Sequence, residues 1–108
     1  MVGKMTIIYT NDFIKYLDSL VYILYKKEYF GFIESADVYI DKIYEFIEES
    51  IETFPPKKTP KELKNFGQNY IFYKSTQRTT WYIFFEKFNN NYLITNILNS
   101  NSEEVKFL

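Results

Sequence analysis

The sequence predicts an α+β domain in which a helical hairpin packs on an antiparallel sheet, in the order β-α-α-β-β-β. Apolar residues recur every three to four positions through residues 11–52, which is the period of amphipathic helices. Residues 69–98 instead hold three short runs rich in aromatic and β-branched residues, separated by connectors of hairpin length. With 108 residues the chain has room for one core, so we expect residues 1–108 to form a single domain.

The first half predicts one strand and two helices. Residues 5–9 are a short β-branched run and predict the first strand. Thr10 and the two residues after it carry side-chain oxygens that can cap a helix. We expect two helices that pack antiparallel and are joined near Gly31. The apolar stripe between them consists of Leu17, Val21, Leu24, Ile33, Ile40, Ile43 and Ile47.

The second half predicts a basic connector and a three-stranded meander. Pro55 and Pro56 end the second helix, because proline has no amide hydrogen and clashes with the preceding turn. Residues 55–68 predict a loop with one short helical turn at 61–65. The predicted strands are residues 69–74, 79–87 and 92–98.

The middle strand of the meander carries large side chains on both of its faces. Alternation places Trp81, Ile83 and Phe85 on one face and Tyr82 and Phe84 on the other. We interpret these aromatics as core, with stacking on a base as the alternative for Trp81 and Tyr82. Helices on one side of a sheet leave its other face open. We therefore expect a partner to bind at that second face.

Composition excludes several classes of site. Cysteine and histidine are both absent, which excludes disulfides, thiolate metal sites and Cys nucleophiles. It also removes the usual general base at neutral pH and the usual metal ligand. No apolar run approaches the roughly 20 residues that span a bilayer, and residues 1–10 lack the pattern of a signal peptide. We expect a cytoplasmic protein with no cofactor, metal or membrane partner.

Charge divides unevenly between the halves of the chain. Residues 1–54 hold five lysines and ten acids, whereas residues 55–108 hold seven lysines, one arginine and four acids. A basic second half suits an anionic partner, although a solvated surface gives the same pattern. The acids of the second helix could serve acid–base chemistry, but we favour a solvated surface for them. The connector lysines are candidate contacts to RNA phosphates. These are Lys57, Lys58, Lys61 and Lys64.

The chain resembles the RelE/ParE superfamily, the toxin subunits of bacterial type II toxin–antitoxin pairs. The element order is similar, and residues 58–67 resemble the stretch that precedes the second strand of the family. Residues 70–74, 78–85 and 92–94 are similar to its meander. The resemblance covers residues 5–100 and rests on hydrophobic patterns.

The resemblance implies a toxin that a cognate antitoxin neutralises by wrapping a C-terminal segment over the helices and sheet. RelE-like members cut mRNA in the ribosomal A site, and ParE-like members poison DNA gyrase. In the RelE-like reaction the 2′-OH of the RNA attacks the adjacent phosphate while Lys and Arg stabilise the added negative charge. Lys74 and Arg78 lie nearest the cationic positions of the family, and Arg78 can also hold a phosphate bidentately. The alternative is a domain of the same fold that binds partners without catalysis.

Overall fold

The computed structural model describes residues 5–26, 33–75, 79–100 and 102–108, without the side chains of residues 20, 21, 23–26 and 33–37. Its helices and strands are β1 Thr6–Tyr9, α1 Asn11–Lys26, α2 Ile33–Ser50, β2 Lys57–Lys58, β3 Asn69–Lys74, β4 Thr80–Phe88 and β5 Asn91–Asn99. Two 3₁₀ helices, Lys61–Phe66 and Glu103–Phe107, follow β2 and β5. The predicted α+β class is confirmed, and the expected joint at Gly31 lies outside the described residues.

The sheet is mixed and has the strand order β1-β5-β4-β3-β2. Strands β3, β4 and β5 form the expected antiparallel meander. The expectation of a wholly antiparallel sheet is wrong at β1, which pairs parallel with β5. Residues 57–58, expected as loop, form a short edge strand on β3. The β1–β5 pairing joins residues 85 positions apart, and the β2–β3 pairing closes over the 3₁₀ helix between them. Neither pairing is carried by a local sequence period.

Thr10 connects the start of α1 to the sheet. The Phe13 backbone N–H donates to Thr10 Oγ1 at 3.1 Å, which makes Thr10 the N-cap. The Thr10 N–H donates to the Ile94 carbonyl at 3.0 Å, and Thr10 Oγ1 donates to the Thr95 carbonyl at 3.3 Å. The chain therefore turns from β1 into α1 while it remains bonded to β5.

The main core lies between the helices and one face of the sheet. Its helical part includes Phe13, Leu17, Ile43 and Ile47, and its sheet part includes Ile71, Trp81, Ile83, Ile94 and Ile97, all with no exposed surface. Phe13, at the start of α1, lies edge-on to Tyr44 in the second half of α2, as antiparallel helices require. The predicted stripe is confirmed at Leu17, Ile43 and Ile47. Ile40 is partly buried, and the side chains of Val21, Leu24 and Ile33 lie outside the described residues.

A β-bulge interrupts the alternation of β5. The register shifts between Phe84 and Phe85 of β4, where Thr95 is the extra residue of β5. Ile94 and Ile97 are three positions apart, yet both are fully buried in the helix-side core. Because of this extra residue, each side chain after Thr95 in β5 points to the face opposite to the one it would have in a regular strand.

The bulge also binds the first 3₁₀ helix on the other face of the sheet. Thr95 Oγ1 donates to the Phe66 carbonyl and lies 3.2 Å from the Phe84 carbonyl oxygen. Gly67 follows at φ 156°, and a Cβ there would lie 2.7 Å from Thr95 Oγ1 and 2.9 Å from the Phe85 nitrogen. Only glycine lets the chain pass this close to the bulge.

We predict that Ile43→Ala lowers the free energy of unfolding by about 2–5 kcal/mol, because it leaves a cavity in the core. Val38→Ala on the same helix is the matched control, since Val38 is 53% exposed. Its effect should stay within about 0.5 kcal/mol. Urea denaturation of both variants measures the difference, and equal losses would contradict this packing of α2.

Candidate functional site

The sheet face that lies away from the helices is only partly covered. The two 3₁₀ helices pack over Tyr70, Phe84 and Leu98, which are buried together with Leu63 in a second apolar cluster. Phe72 and Tyr82 of the same face remain partly exposed, as the alternation of β3 and β4 and the burial of their neighbours show. The face expected to be open thus has one covered end and one uncovered end.

A continuous row of aromatic rings crosses this face. The ring centroids are 5.2 Å apart for Phe54 and Phe72, 6.5 Å for Phe72 and Tyr82, and 6.2 Å for Tyr82 and Tyr70. Tyr70 then lies 5.6 Å from the buried Phe84. Partly exposed rings held in this way can stack on nucleobases or bury the apolar side chains of a bound peptide.

Two of the predicted lysines lie on the same face as the row. Lys74 shares the face of Tyr70 because the two residues are four positions apart on β3. Lys57 lies opposite Tyr70 in the register and shares its face, so Lys57 and Lys74 are separated by about 13 Å along the sheet. We define the open face as Lys57, Phe72, Lys74 and Tyr82.

The other predicted cations are distributed differently. Lys58 follows Lys57 in β2 and lies on the opposite face of the sheet, so these two predicted RNA contacts do not both belong to the open face. Lys61 and Lys64 belong to the first 3₁₀ helix, whose backbone is kinked at Leu63 between them. Lys61 is exposed and Lys64 is half-buried. Arg78 lies outside the described residues.

The open face can bind an anionic ligand and stabilise its negative charge. Its two lysines are exposed cations, and its aromatic side chains provide stacking surface. Burial, and next the neighbouring Tyr82, raise the pKa of Tyr70 above its usual value, so this phenol stays neutral well above neutral pH. None of the four residues that define the open face is a carboxylate or a histidine, so its lysines supply electrostatic stabilisation and only lysine or tyrosine among them could transfer a proton.

A second polar cluster lies on the helix side of the sheet, and sequence reasoning missed it. Tyr39 and Lys42 of α2, with Tyr73 and Ser75 at the end of β3, line a cleft of about 200 Å³. The buried Trp81 donates its indole N–H to the Tyr39 hydroxyl at 2.8 Å, so Trp81 belongs to the core and does not stack on a base. The spacing of Tyr39 and Lys42 by one helical turn was the only sequence signal.

Among residues 5–26, 33–75, 79–100 and 102–108, no three acidic side chains are grouped so that they could hold a metal ion. No helix in that part of the chain has both the length and the apolar character needed to cross a membrane. Comparisons with family models, with curated proteins and with solved structures give no match for this chain.

We predict that the protein loses stability above about pH 10 because of four tyrosines that are wholly or partly buried. Burial raises the pKa of Tyr9, Tyr16, Tyr44 and Tyr70, and nearby carboxylates add to the effect at the first three. These phenols stay neutral in the folded state, while the unfolded chain releases their protons as the pH rises past about 10. The free energy of unfolding should therefore be constant near neutral pH and fall above that value.

Urea denaturation between pH 8 and pH 11.5 measures this dependence. Tyr9→Phe should make the alkaline decline shallower, because burial and Glu48 raise the pKa of Tyr9. The native chain is the reference, and an alkaline decline that is unchanged in Tyr9→Phe would contradict this explanation.

Proposed function

We propose that this chain is the toxin subunit of a type II toxin–antitoxin pair of the RelE/ParE kind. The observation that carries the proposal is the open face, where Lys57 and Lys74 lie beside the partly exposed Phe72 and Tyr82. The element order, with a helical hairpin between β1 and the meander, supports it through its resemblance to that superfamily. Its first activity is to bind an antitoxin in the cytoplasm.

An antitoxin segment would bury the aromatic side chains of the open face. The rings of Phe72 and Tyr82 offer apolar surface that a soluble chain benefits from covering. Acidic residues beside the apolar ones would meet Lys57 and Lys74 and give the contact its orientation. The same segment would then block access to both lysines, so neutralisation and target binding compete for one surface.

The target we propose is mRNA on the ribosome. The 2′ oxygen of the RNA attacks the adjacent phosphorus, and the bond to the 5′ oxygen of the next nucleotide breaks, which leaves a cyclic phosphate. Lys74 and Arg78 would stabilise the negative charge that develops, while Lys57, Lys61 and Lys64 would bind the RNA backbone. Without histidine, proton transfer falls to tyrosine, lysine or water, so we expect a slow enzyme.

A non-catalytic binding domain is the second candidate, and the spacing of the two lysines supports it. Lys57 and Lys74 are about 13 Å apart along the sheet. They could contact the same phosphate only if both side chains were extended toward it. This spacing suits the neighbouring phosphates of a backbone, or the acids of a peptide, better than one reacting centre. Inhibition of gyrase, as by ParE-like toxins, is the other target that this fold would allow.

We predict that the free protein arrests growth when induced and that co-expression of the adjacent antitoxin frame restores growth. Mapping of mRNA 5′ ends and of gyrase-linked DNA breaks identifies the target. New 5′ ends in translated mRNA support the ribosomal target, and DNA breaks support gyrase. Growth without arrest, and no partner recovered from the neighbouring frame, would refute the toxin proposal.

Lysine variants test the open face. We predict that Lys57→Ala weakens toxicity, whereas its neighbour Lys58→Ala does not, because only Lys57 lies on that face. Arg78→Ala and Lys74→Ala should each lower the rate of mRNA cleavage about 100- to 1,000-fold if they stabilise the transition state. Antitoxin binding to Arg78→Ala, measured by calorimetry, should remain. Equal effects of Lys57→Ala and Lys58→Ala would argue against the open face.

A further inference from the structure

The cleft beside α2 is a separate site from the open face. Tyr39, Lys42, Tyr73 and Ser75 line its volume of about 200 Å³. Successive residues of a strand point to opposite faces, so Tyr73 lies on the helix side while Lys74 lies on the open face. The cleft and the open face therefore lie on opposite sides of the sheet, and a ligand in the cleft would not require a toxin activity at the open face.

Hydrogen bonds from the core hold the polar wall of the cleft. An indole N–H can only donate, so the Tyr39 oxygen accepts from the fully buried Trp81 at 2.8 Å. The Tyr39 hydroxyl is also hydrogen-bonded to Ser75 Oγ, and it can be the donor because the Ser75 proton is used elsewhere. Ser75 Oγ in turn donates to the Thr79 carbonyl at 3.2 Å. The chain of bonds runs from the core to the cleft and orders both hydroxyls.

Ser75 can redirect its proton to a ligand without loss elsewhere. The Thr79 carbonyl already accepts the Ser75 backbone N–H at 3.0 Å. That bond keeps the carbonyl paired when the Ser75 hydroxyl turns away, so no acceptor is left unsatisfied. Tyr73 supplies a second hydroxyl from a ring that stacks on Phe46 with 4.8 Å between centroids. The hydroxyl-bearing walls are thus largely formed before a ligand arrives.

Lys42 gives the cleft a positive charge. It is the only basic residue of α2, which also carries six acids between Ile33 and Ser50. Within the described part of the chain Lys42 is exposed and forms no ion pair. None of the four lining residues in the described part of the chain is acidic. The ammonium is consequently free to meet an anion that enters the cleft.

We propose that the cleft binds the phosphate group of a phosphate monoester. Lys42 Nζ and the hydroxyls of Ser75 and Tyr73 donate to its terminal oxygens, which suits a dianion with three acceptor oxygens. The volume of about 200 Å³ is below the roughly 300 Å³ at which pockets for drug-sized ligands begin. A phosphate with a pentose fits this size better than a larger ligand.

Titration of the purified full chain with inorganic phosphate and with ribose 5-phosphate tests the proposal. Trp81 is the only tryptophan and is bonded to a wall of the cleft, so its fluorescence should change saturably as the cleft fills. Lys42→Met should weaken ribose 5-phosphate binding about 10- to 100-fold, as expected for the loss of a charged hydrogen bond. Lys42→Arg should restore part of the affinity, and the exposed Lys15→Met should leave it unchanged.

Two oligonucleotides identify the source of the phosphate. A short single strand with a 5′-phosphate is compared with the same strand bearing a 5′-hydroxyl. Binding that needs both the 5′-phosphate and Lys42 supports a nucleic-acid end as the source, and binding of ribose 5-phosphate alone supports a small molecule. Equal affinities of Lys42→Met and Lys15→Met for both phosphate ligands would overturn the proposal. So would the lack of saturable binding by the native chain, with urea denaturation showing that each variant folds.

Discussion

Strand β5 buries both Ile94 and Ile97 in the same core, although the two residues are three positions apart. A regular strand cannot do this, because its side chains alternate between the two faces with a period of two. The extra residue at Thr95 resolves this conflict. Its carbonyl accepts the Thr10 hydroxyl at the start of α1, and its own hydroxyl donates to the Phe66 carbonyl. The bulge therefore sets the helix-side core and positions the first 3₁₀ helix on the other face.

The sheet so formed separates two surfaces of unlike charge. The helical layer is rich in acids, and the open face presents Lys57 and Lys74. A polyanion would be repelled by the helices and attracted to the open face, so the charge distribution orients it before contact. Lys42 is the exception within the acidic helix, and it lies at the cleft. The anion site proposed there depends on the position of Lys42 at the cleft and not on the charge of the helical layer as a whole.

Local patterns were sufficient to predict the helices and the meander, because periods of 3.6 and 2 are written into neighbouring residues. They could not predict the parallel pairing of β1, which joins residues about 85 positions apart. Nor could they predict that Lys57 and Lys58 lie on opposite faces of the sheet, because this follows from the pairing of these two residues with β3. The cleft escaped sequence reasoning because Tyr39 and Ser75 meet only when α2 packs on the hairpin.

Phe54 links the two surfaces at the edge of the sheet. β2 pairs with only two residues of β3, which leaves the rest of that edge strand without a neighbouring strand among the described residues. Phe54 lies 5.8 Å from Phe46 on the helix side and 5.2 Å from Phe72 on the open face. Its ring thus lies beside an edge that would otherwise invite pairing with another chain. A partner that displaces Phe54 would contact both the Phe72 ring and the unpaired backbone groups of this edge. It would also break the contact between Phe54 and Phe46 of α2.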